Sequence, residues 1–468
     1  HDGVKSETAN RTRDTQFVQS GYIQGYSRGY QKVGETKEYG PSALGYVYYF
    51  GTNPAKNLPT SNSITYKGTW DFVTDAVKAR SSNRISGLNS EITADTARSP
   101  ARNYGATSFH ESVNSDKTKG EVGHSSEFSV NFADKTLTGK LMRNAPTSSP
   151  DSQEKNTRYT ISANIKGNRF VGKATAVEKP DFFKNANGEF PSDLDLNADR
   201  LEGGFFGNNA EELAGKFMSN DNSLFGVFAA KRGEAETTPT YDAVSVAKND
   251  FSKTELDTYG NVLTKLVING KEFDLLPSAI DASKTYQISE HALADGKKLS
   301  IYTCCNNLSF VKFGTYQLGG NLYNFLQGER TSLADMNALS GSLTYKGNWL
   351  SSVLLQGGQA FQPSGSAEFN VNLSDKTLTG SLLSDNKSSV FNITGTVDKN
   401  GFTGTASTPN GGFNLDTGGS QYLNAKAEVT GGFYGPQATE LGGVFHTKDA
   451  SKDQVGGVFG AKRQVAAQ

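Results

Sequence analysis

Sulfur and tryptophan are scarce in this 468-residue chain, which has two Cys, three Met and two Trp. The cysteines are neighbours, Cys304 and Cys305. Their α-carbons lie about 3.8 Å apart across a trans peptide, below the usual ~4.4–6.8 Å of a disulfide. A bond between them and a pair of buried thiols on opposite strand faces both stay open. A reactive redox pair would need low-pKa surroundings that the sequence does not indicate. The five histidines, His1, His110, His124, His291 and His446, are scattered without zinc spacing. No apolar run approaches the ~20 residues of a membrane-spanning helix. Lys and Arg (47) balance Asp and Glu (48), and no block of either sign stands out. That excludes an electrostatic footprint for nucleic acid or an anionic membrane. No signal peptide precedes His1, so a mature or trimmed chain is expected.

Catalytic motifs fail in context. Gly25-Tyr26-Ser27-Arg28-Gly29 matches the nucleophile-elbow pattern, but QKVGETKEYG follows where an apolar helix is required. DLDLNADR at Asp193 imitates a calcium loop, yet Ala198 stands where Gly is needed and Gly204 where a bidentate Glu would sit. No phosphate-binding glycine loop opens a helix, because hardly any helix is written. No enzyme, cofactor or metal is expected.

What the chain does have is 51 Gly, 28 Phe and 19 Tyr, the composition of an aromatic-rich β protein. It also says most things twice. LEGGFFGNNAEELAGKF at Leu201 returns as VTGGFYGPQATELGGVF at Val429, and SITYKGTW at Ser63 as SLTYKGNW at Ser342. EFSVNFADKTLTGKL at Glu127 returns at Glu368, and FGVFAAKR at Phe225 returns as GGVFGAKR at Gly456. Four matches in one order mean a duplicated unit. At roughly 230 residues it far exceeds a solenoid repeat of ~20–50, so each copy should own a core.

Within each copy the period-two pattern is clear. Phe128, Val130 and Phe132 face one way, ADKT turns, and Leu137, Gly139 and Leu141 continue that face. Eight short strands in hairpin order follow per lobe, the number at which an up-and-down sheet closes with a filled interior. Recurrent mid-strand glycines, such as Gly139 and Gly380, suit the bends that closure demands. The spacing of Tyr22, Tyr26 and Tyr30 would suit a helix, but the intervening glycines make strand and turn the better reading. Tyr46, Tyr48 and Phe50 share one face of the next strand. A helical turn fits only at GGFFGNNAEELAG, with Asn208 or Asn209 as cap and Glu211 and Glu212 in its first turn. In the second copy a hairpin turns on Asn269-Gly270.

These signals predict an all-β fold of two homologous lobes, each an eight-stranded antiparallel barrel beside a smaller β-sheet subdomain. Its expected parts are a first handle over 1–62, a first barrel over 63–233, a linker over 234–250, a second handle over 251–341 and a second barrel over 342–468. Between Gly68 and Glu127 the first copy carries roughly 40 residues more than the second does between Gly347 and Glu368, and long loops on rigid scaffolds are where recognition tends to sit. This cap loop spans 74–124.

With those segments in hand the chain resembles the transferrin-binding protein B family, surface lipoproteins of Gram-negative pathogens. YKGTWDF at Tyr66, EFSVNFADKTLTGKL, LEGGFFGNNAEELAGKF, CCNNLSFVKFG at Cys304 and GGFYGPQATELGGVF carry the resemblance. It implies two lobes, each a barrel with a handle. It also implies capture of iron-loaded host transferrin at the outer face of the outer membrane and transfer to transferrin-binding protein A. The family's lipidated Cys is not in this sequence, and the first handle is short, with 65 residues before Tyr66. The implied docking surface is the cap of the first lobe. There Tyr22, Tyr26, Phe50, Phe72 and Tyr104 are expected as anchors, with Arg80 and Arg84 at the rim. Two rivals stand beside this reading. A lactoferrin-binding paralogue would typically carry acidic runs that this chain lacks. A barrel carrying a small ligand would need a cavity of ~300–1,000 Å³.

Overall fold

Strands whose side chains alternate between buried and exposed, joined by strands buried on both faces, close into two barrels among the described residues. The computed structural model describes residues 3–8, 15–33, 36–61, 63–74, 92–93, 106–108, 123–146, 153–184 and 187–465. It divides into two units, His1–Thr237 and Thr238–Gln468.

In the first unit, eight antiparallel strands run in hairpin order from Ile64–Thr74 to Leu224–Arg232, and the last pairs back with the first, Tyr66 opposite Arg232. In the second, Ser342–Leu354 closes with Gln454–Arg463, Tyr345 opposite Arg463. Side chains fill both interiors. Tyr66, Trp70, Phe128, Phe205 and Phe228 are buried in one, and Tyr345, Trp349, Phe369, Phe433 and Phe459 hold the matching places in the other. Burying a side chain of this size is worth about 1.5–3 kcal/mol.

Two of the buried aromatics in each barrel have their polar atoms satisfied in the same way in both copies. The Tyr66 hydroxyl donates to the Ala210 carbonyl at 2.7 Å and that of Tyr345 to Ala438 at 2.8 Å. The Trp70 indole donates to Met142 and that of Trp349 to Leu383. A buried phenol or indole without a partner would cost free energy, so the duplication kept each partner with its ring.

The repeated glycines have a packing reason as well as a bending one. A Cβ on Gly139 would stand 2.4 Å from Cδ1 of Phe128, and one on Gly380 2.3 Å from Cδ1 of Phe369. The ring from the neighbouring strand lies where a side chain would be. Gly380→Ala is therefore expected to cost about 1–3 kcal/mol by overpacking, read as a lower midpoint in urea denaturation.

The expected helical turn is corrected. In the first copy Gly207–Ala210 is a turn and Glu212 opens the strand Glu212–Met218, while the second copy has only a single 3-10 turn, Pro436–Ala438. The motif's periodicity favoured neither state, and pairing with the barrel decided it. The expected linker over 234–250 is corrected too, because Tyr241–Ala247 is a buried strand inside the second handle sheet. Its apolar run, Ala243, Val244, Val246 and Ala247, was the signal for it. Gly25 to Gly29 lies in the uninterrupted strand Val18–Val33, so no elbow forms around Ser27. The Asp193 loop is closed on itself: Asp195 accepts from the Asn197 and Asn220 side chains, which leaves no cage of free oxygens. Cys304 and Cys305 are joined to one another and buried.

The second handle is a six-stranded sheet in the order Lys253–Glu255, Tyr241–Ala247, Asn321–Glu329, Val311–Leu318, Lys298–Cys304, Tyr286–Ala292. One face, with Val244, Val246, Phe313 and Leu326, packs on Val444 and Val458 of its barrel. The other is covered by the hairpin Lys265–Ile268 and Lys271–Asp274, turning on Asn269-Gly270 with both residues at positive φ. On the barrel strand Glu440–His446, burial first and then the Lys253 ammonium hold the His446 imidazole below its ordinary pKa of 6.5. The folded state thus favours neutral His446. The stability this contributes is present above pH 6.5 and is lost as pH falls below it. The melting temperature of the wild type is expected to drop more between pH 7 and pH 5 than that of His446→Gln.

Candidate protein-docking face

The first handle is built on one long hairpin, Val18–Val33 against Thr36–Gly51, with Gly3–Thr8 added along its outer side. Aromatic and β-branched residues alternating with small ones make these strands. The register sets Val18 opposite Gly51, Ser20 opposite Tyr49 and Tyr22 opposite Val47. These residues face the barrel, where Val18 packs with Phe206, Ala214 and Ala229, and Tyr22 and Val47 with Val227. Burial pushes the Tyr49 phenol above its ordinary pKa.

A single carboxylate clamps this hairpin to the barrel. Glu212, 3% exposed, accepts the backbone N–H groups of Gln16, Phe17 and Val18 at 2.5, 2.7 and 2.8 Å. Its counterpart Glu440 does the same for Ser309, Phe310 and Val311 at 2.7, 2.8 and 3.0 Å. Three main-chain donors on one carboxyl supply the hydrogen bonds that a buried polar group needs.

The two clamps align the handles residue by residue. Val18 matches Val311, and since Val18 pairs with Gly51 and Val311 with Gly328, Tyr46, Tyr48 and Phe50 match Tyr323, Phe325 and Gln327. In the second handle this face is covered. Phe325 is fully buried, and the Gln327 amide donates to the carbonyls of Leu263 and Lys265 at 2.6 and 2.9 Å. In the first, Tyr46 is 57% and Phe50 60% exposed while Tyr48 between them is half-buried, and no hairpin covers this face among the described residues. Two large aromatics left in water on one strand face, either side of Tyr48, are the kind of surface that protein partners bury.

The expected anchors separate on this geometry. Phe50 is exposed. Tyr22 is 7% exposed and packed inward, so it is corrected from anchor to handle core. Phe72 is corrected likewise: it is 1% exposed, packed against Trp70, edge-on to His124 and stacked on Phe182. Trp70, Asp71 and Phe72 are all buried there, so period-two alternation did not reveal which of them faces a partner. Tyr26 pairs with Ala43 on the hairpin. Arg80, Arg84 and Tyr104 lie outside the described residues. Within the cap loop, Ala106–Ser108 pairs with Val73 and Thr74 on one side and with Ile92–Thr93 on the other. Sequence reasoning passed over Tyr46 as an anchor, although its alternation with Phe50 was the available signal. It also passed over Glu212, whose role depends on a partner almost two hundred residues away.

Among the described residues no group of three His, Cys, Asp or Glu side chains could hold a metal ion. The cavity between Trp70, Tyr159 and Arg158 in the first barrel is about 10 Å³, room for about one water and not for a small-molecule ligand.

Comparison with known proteins fits this arrangement. Profiles for the C-lobe and N-lobe beta barrels of Tf-binding protein B match residues 58–232 and 338–463. That family's C-lobe handle profile matches 238–331 and its N-lobe handle profile 1–55. The chain belongs to the transferrin-binding protein B family. It is 39% identical to transferrin-binding protein B of Moraxella catarrhalis, over 99% of this chain and 69% of that protein. It is 37% identical to one from Neisseria meningitidis serogroup B, over 97% and 77%. A crystal structure of the family's vaccine antigen from Haemophilus parasuis Hp5, in a Trp-to-Ala mutant, superposes with a TM-score of 0.77 at 32% identity, covering 100% of this chain and 86% of that one. The isotype 1 protein from serogroup B Neisseria meningitidis gives 0.76 at 35% identity, covering 98% and 87%.

Proposed function

We propose that this family member captures iron-loaded host transferrin through the open face of its first handle together with the adjoining cap loop. It then delivers the transferrin to transferrin-binding protein A for iron acquisition, from a lipid-anchored position on the outer face of the outer membrane. Relatives named for transferrin binding align with nearly the whole chain. The observation that carries the reading is the difference between the handles: one face is sealed by the protein's own hairpin, and the matching face is left with Tyr46 and Phe50 in water. Docking of this kind requires shape and aromatic area but no reactive group. Among the anchors, Tyr46 joins Phe50, while Tyr26, Arg80, Arg84 and Tyr104 stay candidates for the same site.

The test is a titration of the full chain with iron-loaded transferrin, iron-free transferrin and lactoferrin. Tightest binding to the iron-loaded form is expected. Capture of lactoferrin alone would remove the reading. The lipid anchor and the delivery step are checked in cells, by surface labelling and by transferrin-supported growth with and without this protein.

A further inference from the structure

The second handle sheet ends in two edges that differ in kind. One edge strand, Lys253–Glu255, has three residues, two of them charged. That is how natural sheets discourage further pairing. The other, Tyr286–Ala292, is seven residues long, contains no proline, and is the last in its sheet. Alternate N–H and C=O groups along an edge strand point away from its neighbour. Among the described residues no strand takes those of Tyr286–Ala292.

Its side chains give this edge a pattern. Tyr286 and Ile288 lie on the sheet face that packs on the barrel elsewhere, but here they are 38% and 51% exposed. The Tyr286 ring lies 4.0 Å from that of Tyr302 on the adjacent strand, so the exposed apolar area is continuous over two strands. On the opposite face Gln287 and Ser289 are buried and polar, engaged with Asp281 and Asp274. A strand laid alongside would meet apolar neighbours on one face and polar ones on the other.

We propose that the free edge of Tyr286–Ala292 takes up an extended segment of a partner polypeptide, alternating apolar and polar residues, as a seventh strand. Main-chain bonds would give affinity, and the Tyr286, Ile288 and Tyr302 surface would select the apolar positions. A second copy of this chain fits less well. Antiparallel self-pairing centred on Ser289, the register of greatest overlap, sets Ile288 opposite Glu290. The register that sets Tyr286 opposite Ile288 is centred on Gln287 and leaves most of the strand unpaired.

The probe is a labelled, capped eight-residue peptide alternating Thr and Ile with a terminal Lys, added to the full chain. Hydrogen exchange is expected to slow at least tenfold at alternate amides within 286–292. Peptide affinity should fall at least tenfold in Ile288→Lys, and a peptide N-methylated at alternate residues should not bind. Unchanged exchange, or equal binding of the N-methylated peptide, would overturn the proposal. So would exchange that slows with protein concentration alone while the sedimenting mass doubles, because the edge would then serve a second copy. Transferrin binding plays no part in the readout, so this proposal and the function above stand or fall separately.

Discussion

Tyr46→Ala and Phe50→Ala together are expected to weaken binding of iron-loaded transferrin by about a thousandfold. Truncating a true aromatic anchor costs about 2 kcal/mol or more, roughly thirtyfold, and two such losses add to about 4 kcal/mol if the positions act independently. They are same-face neighbours separated by Tyr48, so coupling between them is expected, and the single variants are measured beside the double. Both side chains are more than half exposed. The folded protein should therefore be unchanged, with the same melting temperature and far-ultraviolet spectrum. The loss should fall mainly in the dissociation rate. Phe72→Ala is the contrast. It removes a ring packed against Trp70 and Phe182 in the barrel core and should cost about 3–5 kcal/mol of stability. If the double variant binds as the wild type does while remaining folded, the open face is not the docking site.

Glu212→Ala should be the most damaging substitution of a polar residue in the first lobe. It leaves the N–H groups of Gln16, Phe17 and Val18 without their acceptor, that of Val18 in a buried place and the other two in part-buried ones. An orphaned buried donor costs about 1–3 kcal/mol and the two part-buried ones less, so a loss of about 3 kcal/mol is expected, felt where the handle meets the barrel. Hydrogen exchange should show it as fast opening of residues 16–22 and 46–51 while the barrel strands stay protected. Glu212→Gln keeps the shape and one acceptor oxygen, and should recover part of the loss. Transferrin affinity should fall in Glu212→Ala although Glu212 faces no partner, because Tyr46 and Phe50 are carried on the hairpin it holds. Uniform loss of barrel protection in Glu212→Ala would contradict its assignment to the joint.

Much of this architecture could be read from the letters. Duplicated segments and period-two patterns are local properties. A strand's two faces are written in its own residues, so Phe128, Val130 and Leu137 point inward in the structure as their spacing predicts. The Tyr46, Tyr48, Phe50 face was legible for the same reason. The sites of error were positions whose fate depends on a distant surface. Tyr22 and Phe50 are both large aromatics on one hairpin, and only the barrel strand carrying Val227 makes one core and leaves the other in water. The strand Tyr241–Ala247 looked like a linker because the sheet that buries it comes from residues well after it in sequence.

The sequence by itself determined that there are two β lobes and that each closes on eight strands with an aromatic filling, because periodicity, repetition and residue type need no partner to be read. Only the tertiary structure decided which aromatics are free to meet another protein. It paired Glu212 and Glu440 with main-chain donors far away in sequence, sealed one handle face with a hairpin and left the matching one open. Exposure is a property of what else lies nearby, and nearness in space is what the linear order does not carry.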